Sequence, residues 1–396
     1  MKKIYTVLII LLGLILISGC QNKKPNPKVI DNAFYDAGLN HSYIIYDRFY
    51  HAPGSFAEYS PADETPGSEF QGSAALWSYG AVLTMLAAGS KLNPELEFFK
   101  EKTEDILLGL KEFRMPRATL HYSAINGAGG EPYYDDNAWV VIGLYDLAKA
   151  RNDKDLMAHS RELLNYVLSG ESEEGGIYWK ETTSSRNTCS SGPAIVGALL
   201  HYLENPDEEQ ELLDIALRIY SWTKRVLRDQ SDFVYWDNAT YNHETKQEEI
   251  VKWKFTYNSG TMIWAAALLH QITKEQAYLD DANMTAEGSL GLFYRELSGR
   301  SFYPRTPWFN LYLLRGYIEL AKTYDNGSKD YLVNTFKTNL RYALLNGVDK
   351  DGILLPTWGN GQNLSTDKYV KLLETAASTE VLFLLADFEL NIQKEK

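Results

Sequence analysis

Six times along this chain a polar, aromatic or Gly-rich loop runs into an apolar helix rich in small residues, and five times a more charged amphipathic helix follows it. The apolar members start near GSAALWSYGAVLTMLAAG, DDNAWVVIGLYDLAKA, SSGPAIVGALLHYLE, NSGTMIWAAALLHQI, PWFNLYLLRGYIELAKTY and ETAASTEVLFLLADFEL. Their apolar residues recur at helical spacing, whereas strand-like alternation is rare, so the chain is expected to be all-α. Successive apolar helices stand roughly 50 to 70 residues apart, which suits helical hairpins separated by functional loops. The early segment NPKVIDNAFYDAGLNHSYIIYDRF supplies the missing sixth partner. With six pairs and no polar cap at either end, the hairpins are expected to close into an (α/α)6 barrel, with apolar helices inside and charged ones outside, rather than stack as an open solenoid.

Before the first pair stands MKKIYTVLIILLGLILISGC: two lysines, an unbroken apolar run and a cysteine directly after Ser18-Gly19. That pattern predicts a lipoprotein signal peptide over residues 1–19 and a lipid on Cys20. The polar, proline-containing QNKKPNPK continues a tether over 20–30, leaving 31–396 as the catalytic domain. The protein is therefore expected to be exported and held at the cell envelope as a membrane-anchored monomer.

The chain carries 39 basic and 52 acidic residues, a net charge of −13, and no basic run. Such a balance argues against nucleic acid or anionic polymers as partners and favours a neutral ligand. Nine Trp and 27 Tyr provide apolar ring faces of the kind neutral sugars stack on. Cys20 and Cys189 are the two cysteines, so lipidation of the first leaves no disulfide. Cys189, with no histidine set to activate it, reads as a small buried hydrophobe. The seven histidines are scattered, and HExxH, CxxC, GxGxxG, GxxxxGK[ST] and GxSxG are absent, so no metal or cofactor is expected.

Chemistry concentrates in EPYYDDNAWVVIGLYDLAKARND. Adjacent Asp135 and Asp136 repel each other and are costly to desolvate together, which folding alone does not require. A helix cap needs one such residue and has Asn137 as a candidate. At a helix start, the dipole and free N–H groups favour one ionised carboxylate, and its charge raises the pKa of the other. One nucleophile and one acid follow from two identical residues, in an order the capping geometry leaves open. Retaining glycosidases place their carboxyls about 5–5.5 Å apart, a spacing that neighbours on a turn reach easily.

The loops leading into the other apolar helices repeat one theme, a ring beside an amide or glycine: Trp179 in GGIYWKE, Asn187 in SSRNTCSSG, Tyr257 and Asn258 in FTYNSG, Trp308 in PRTPWFN, Trp358 in PTWGNGQN. Rings for pyranose faces and amides for hydroxyls make a sugar groove. Tyr134 and Trp139 beside the aspartates, Asp237 in VYWDNATYN and Arg315 in LYLLRGY complete the candidate substrate-binding set. Asp237 is also the first alternative for a second carboxylate should the reaction invert.

Taken in order, YYDDNAWVVIGLYDLAKARND, GGIYWK, SRNTCSSGPAIVGALLHYLE, FTYNSGTMIWAAALLHQITKEQAYLDDA and WFNLYLLRGYIELAKTY resemble glycoside hydrolase family 76, the bacterial endo-α-1,6-mannanases and their fungal wall relatives, over about residues 40–390. The resemblance implies an (α/α)6 barrel and a retaining hydrolase of α-mannosidic linkages, with Asp135 as nucleophile and Asp136 as acid/base. Ser259 stands where the family usually has Gln, and Asn310 where it usually has Lys, departures that bear on glycan contacts rather than on the reaction. Two rivals differ in signature. Unsaturated glucuronyl hydrolases, also α/α toroids, act on anionic sugars and need an Arg-rich pocket, while a glycan-capturing lipoprotein without catalysis has no use for paired aspartates.

Overall fold

The structure, a computed structural model, describes residues 30, 32–61, 72–127, 130–324, 326–360 and 369–394. The proposed leader, Cys20 and most of the tether lie outside the described residues.

The six small-residue segments are helices α2 (Leu76–Leu92), α4 (Tyr134–Arg151), α6 (Thr188–Glu204), α8 (Thr256–Thr273), α10 (Pro307–Lys322) and α12 (Leu372–Lys394). Each packs on the next, and α12 returns to pack on α2, so the inner ring is closed. Around it α3 (Glu97–Leu110), α5 (Lys154–Leu168), α7 (Gln210–Leu227), α9 (Gln276–Phe293) and α11 (Asp330–Asn346) each pair with the inner helix before them. Helix α1 (Ala33–Phe49) packs against α12 and completes the sixth pair, as the sequence predicts.

Composition explains the two layers. An outer helix such as α7 buries one face, Leu212, Ala216, Ile219, Thr223 and Leu227 at three- and four-residue intervals, widened by Leu213, Tyr220 and Trp222, and leaves its charged residues outside. An inner helix touches neighbours on every side: α2 buries nearly its whole length, including Ser78, Thr84 and Ser90. Close approach is extreme between α8 and α10, where a Cβ on Gly260 would stand 2.4 Å from the Tyr312 carbonyl oxygen and one on Gly316 2.3 Å from the Gly260 carbonyl oxygen. Gly260→Ala therefore forces two backbones apart and is expected to destabilise the protein by about 1–3 kcal/mol, seen as a lower melting temperature in circular dichroism.

Between the helices, short strands pair, some of them as hairpins. Strands β1 (Tyr50–Ala52) and β2 (Ser55–Phe56) form a short ribbon after α1. Strand β3 (Tyr59–Ser60) later pairs with β9 (Val370–Lys371). Strand β4 (Ser185–Asn187) is followed by β5 (Trp236–Asn242) and β6 (Gln247–Lys254), which make a three-stranded antiparallel sheet in the order β4-β5-β6. SGRSFYPRT contributes to the β7 (Arg295–Leu297) and β8 (Arg300–Phe302) hairpin. These strands are short and polar, so their alternation is weak in the sequence.

The shared orientation of the inner helices creates a single mouth. Residues at or beside the N-terminal ends of all six, from Ala75 and Trp77 on α2 to Lys371 before α12, line one groove. No described N-cap of α2, α4, α6, α8 or α10 uses its own side chain as a cap. Free N–H groups and positive dipole ends thus gather at one end of the barrel, where carboxylates are favoured. Two are recruited from elsewhere: Glu58 accepts from the Ala75 N–H at 3.0 Å, and Glu374 from the Trp308 N–H at 3.0 Å.

Candidate active site

The groove has a volume of about 810 Å³, and Asp135 and Asp136 sit among its lining residues. Helix α4 begins at Tyr134, three residues earlier than the apolar period implies, with Tyr133 at the cap position. The pair therefore occupies the first turn rather than the cap. Nor is Asn137 a cap: fully buried, it accepts from the Tyr122 N–H at 2.8 Å and donates to the Tyr122 carbonyl at 3.0 Å, clamping the preceding loop to the helix.

The two carboxylates are held differently. Asp135 Oδ1 accepts from the Asp136 N–H at 2.9 Å, and its Oδ2 accepts from the Trp179 indole N–H at 3.0 Å and the Cys189 thiol at 3.4 Å. Burial pushes the Asp135 carboxyl up to about 6 against the opposing pull of those donors. For Asp136 burial comes first and the Asp135 charge adds to it, so its carboxyl is raised well above the usual range. The group with donors ionises first, and its neighbour keeps the proton.

Above them the walls are aromatic. Trp139 packs edge-on to Trp308 at 4.9 Å between centroids, and Tyr257 stacks on Phe309 at 4.2 Å. Trp77 also packs edge-on to Trp308, at 5.0 Å. Polar groups are spaced between the rings. Asn187 accepts from Ser185 at 2.6 Å, and Asp237, raised by burial, accepts from Asn238 at 3.0 Å.

Of the residues singled out in the sequence, Asp135, Asp136, Trp139, Trp179, Asn187, Asp237, Tyr257 and Trp308 line the groove together. Others do not. Tyr134 turns away and stacks on Tyr166 at 4.9 Å, because at the first helical position its side chain faces the outer layer. Asn258 is fully buried behind the wall, 3.5 Å from Asp237 Oδ1, so it supports a lining residue without being one. Trp358 is buried against Ser378, to which its indole N–H donates at 2.9 Å. Arg315 lies further along α10 and joins Glu380 of α12, at 2.9 Å, to Asp146 of α4, at 2.8 Å. It ties three inner helices together and is not among the groove residues.

Cys189 is buried in the core, as its sequence reading has it, but its thiol also touches Asp135, a contact that sequence reasoning missed; its place two residues past Asn187, at a helix start, was the available signal. Burial holds that thiol protonated, well above its ordinary value, which suits a donor and not a nucleophile. Sequence reasoning also missed Glu58, Ser78 and Lys371 on the opposite wall. Glu58 accepts from Ser78 at 2.7 Å and lies 3.5 Å from the Lys371 ammonium. Glu58 and Lys371 are brought together by the β3–β9 pairing, Tyr59 opposite Lys371, and Ser78 reaches them from the first turn of α2, which no local pattern announces. Ser259 and Asn310, the two departures from the family pattern, are buried and bond to the Tyr235 N–H and to Thr256, outside the groove lining.

Comparison with known proteins agrees with this geometry. The mannosidase Bt3792 of glycoside hydrolase family 76 from Bacteroides thetaiotaomicron superposes with a TM-score of 0.81 at 24% identity, over 91% of this chain and all of that one (100%). An inactive variant of the α-1,6-mannanase GH76A of Salegentibacter sp. HEL1_6, with two consecutive aspartates replaced by asparagine and α-1,6-mannotriose bound, superposes with a TM-score of 0.73 at 26% identity over 90% and 99% of the two chains. A curated fission-yeast relative, the Meiotically up-regulated gene 191 protein of Schizosaccharomyces pombe, is 27% identical over 232 residues, and the match spans about half of each chain, 52% of this one and 51% of that one. The model of glycosyl hydrolase family 76 matches residues 47–383. The chain therefore belongs to glycosyl hydrolase family 76 and is a glycoside hydrolase of the (α/α)6 fold.

Proposed function

We propose that the protein is a retaining endo-α-1,6-mannanase, held at the cell envelope through a lipid on Cys20, that acts as a monomer on neutral α-mannan. The observation that carries the reaction is the unequal support of two adjacent carboxylates on the groove floor, one with three donors and one with none among the described residues. The aromatic walls and the bound α-1,6-mannotriose of the Salegentibacter relative support the choice of substrate. Five carboxyl residues line the groove, Glu58, Glu131, Asp135, Asp136 and Asp237, against one lining lysine among the described residues, Lys371, and make anionic glycans poor ligands.

Asp135 then attacks the anomeric carbon while Asp136 gives its proton to the departing glycosidic oxygen, leaving a glycosyl-Asp135 ester. Asp136, now ionised, takes a proton from water, which displaces Asp135 and releases the sugar with its α-configuration kept. The envelope location rests on the leader and Cys20 pattern; Cys20→Ser is expected to release the mature protein from the membrane fraction.

Hydrolysis tests the reading directly. The protein is expected to shorten α-1,6-manno-oligosaccharides and leave other α-glycans and glucuronates intact; cleavage of the latter alone would replace it with another toroid chemistry. The same assay carries a pH prediction. kcat/KM should rise through an acidic limb near 6, where Asp135 loses its proton, and fall at higher pH, where Asp136, raised further by burial and by the Asp135 charge, loses its own. Removing a donor from Asp135 by Cys189→Ala should move the acidic limb up by about half a pH unit, and Cys189→Ser should bring it back.

A further inference from the structure

We propose that Trp253 is the platform of a distal sugar subsite, holding a pyranose ring beyond the bond being cleaved and so favouring long chains cut internally. The inference rests on the mannanase reading above and deepens it. Three strands make one side wall of the groove, and their rungs step away from the catalytic floor. Asn187 of β4 pairs with Asn238 of β5, which pairs with Val251 of β6. Between that rung and the Trp236–Lys254 rung the register shifts, so Asp237 faces Lys252 and Trp253 across the strand pair. Trp253 therefore continues the wall outward from Asp237, and it is a lining residue of the same groove.

Its exposure is what calls for an occupant. Trp253 is 68% exposed, against 37% for Trp179, the other indole prominent at the groove surface, and an indole left so open forgoes most of its apolar burial. The strand beneath it is braced at both ends. Lys254, the next residue, reaches Asp229 and Asp232, each at 2.7 Å, and Glu248 pairs with the buried Arg186 of β4. Lys252 lies over the Trp236 ring at 5.1 Å. An exposed ring with no aromatic or cation partner among the described residues, on a braced strand and in the same wall as the Asn238 amide, matches one face and the hydroxyls of a neutral pyranose. Because the backbone is already ordered, little entropy is lost when a sugar lands there.

The test is a length series: an activated aryl α-mannoside, then α-1,6-linked mannobiose through mannohexaose, with the full chain and its Trp253→Ala and Trp253→Tyr variants. In the wild type, kcat/KM is expected to climb with chain length. Trp253→Ala should lose about three- to tenfold on the longest members through KM, leave the aryl mannoside unchanged, and flatten the length dependence; Trp253→Tyr should restore most of it. Equal losses on the aryl mannoside and the hexaose would assign Trp253 a structural role and overturn the subsite, as would an unchanged length dependence. Should the wild type cleave none of these substrates, the mannanase reading itself fails and the subsite falls with it.

Discussion

Asp135→Ala is expected to abolish turnover, lowering kcat on the order of 10⁴-fold or more, because the variant lacks the oxygen that forms the glycosyl ester. Asp136→Ala should divide the reaction instead. An aryl leaving group that departs without protonation still allows the first step, so a burst of phenol precedes slow release of mannose, and the covalent intermediate accumulates. Azide, a nucleophile that needs no base, should restore turnover and yield α-mannosyl azide. Stability provides the control that these losses are chemical. Both carboxyls titrate higher in the folded protein than the ordinary aspartate value of 3.8, so the fold binds more protons than the unfolded chain over the interval between. The pair costs stability as pH rises above about 4 and costs most above the folded values. Asp135→Asn or Asp136→Asn should therefore raise the melting temperature at pH 7 by about 2–4 °C while hydrolysis is lost.

Arg315→Met is expected to do the opposite, costing about 3–5 kcal/mol of stability and about 6–15 °C in melting temperature with little change in kcat/KM measured well below the transition. Glu380 is fully buried and raised by that burial, with the Arg315 charge as the main force pulling it back. Take the guanidinium away and a buried carboxylate is left without its partner. A second change, Glu380→Gln, should recover part of the loss by removing that charge, and differential scanning calorimetry on the single and double variants reads it. A large rise in KM for Arg315→Met, with melting unchanged, would instead return this residue to the substrate.

The same residue shows where local sequence pattern stops being informative. The inner ring was legible because its apolar helices carry small residues at places such as Gly260 and Gly316, where backbones meet, and the outer helices show one-sided stripes as in α7. The aspartate pair was legible because like charges side by side have no folding reason to be there. Arg315 was misread because an arginine in an apolar helix looks the same whether it meets a sugar or a carboxylate from another helix; that choice depends on Asp146 and Glu380, 169 and 65 residues away in the chain. Glu58 and Lys371 share a wall only through the β3–β9 pairing. The unequal support of the two aspartates depends on donors far away in the chain, Trp179 in a loop and Cys189 at the start of α6. Local pattern picks out the aspartate pair, and long-range contacts set the surroundings of each carboxyl.

Whether Asp135 forms a covalent bond to the sugar is decided by the anomer released first. Proton NMR spectra recorded within the first minutes of α-1,6-mannotetraose hydrolysis, before mutarotation, should show the α-anomeric signal of the new reducing end growing ahead of the β-anomer. A β-anomer appearing first would show single-displacement inversion, contradict the nucleophilic role of Asp135, and move the second carboxylate to Asp237 across the groove.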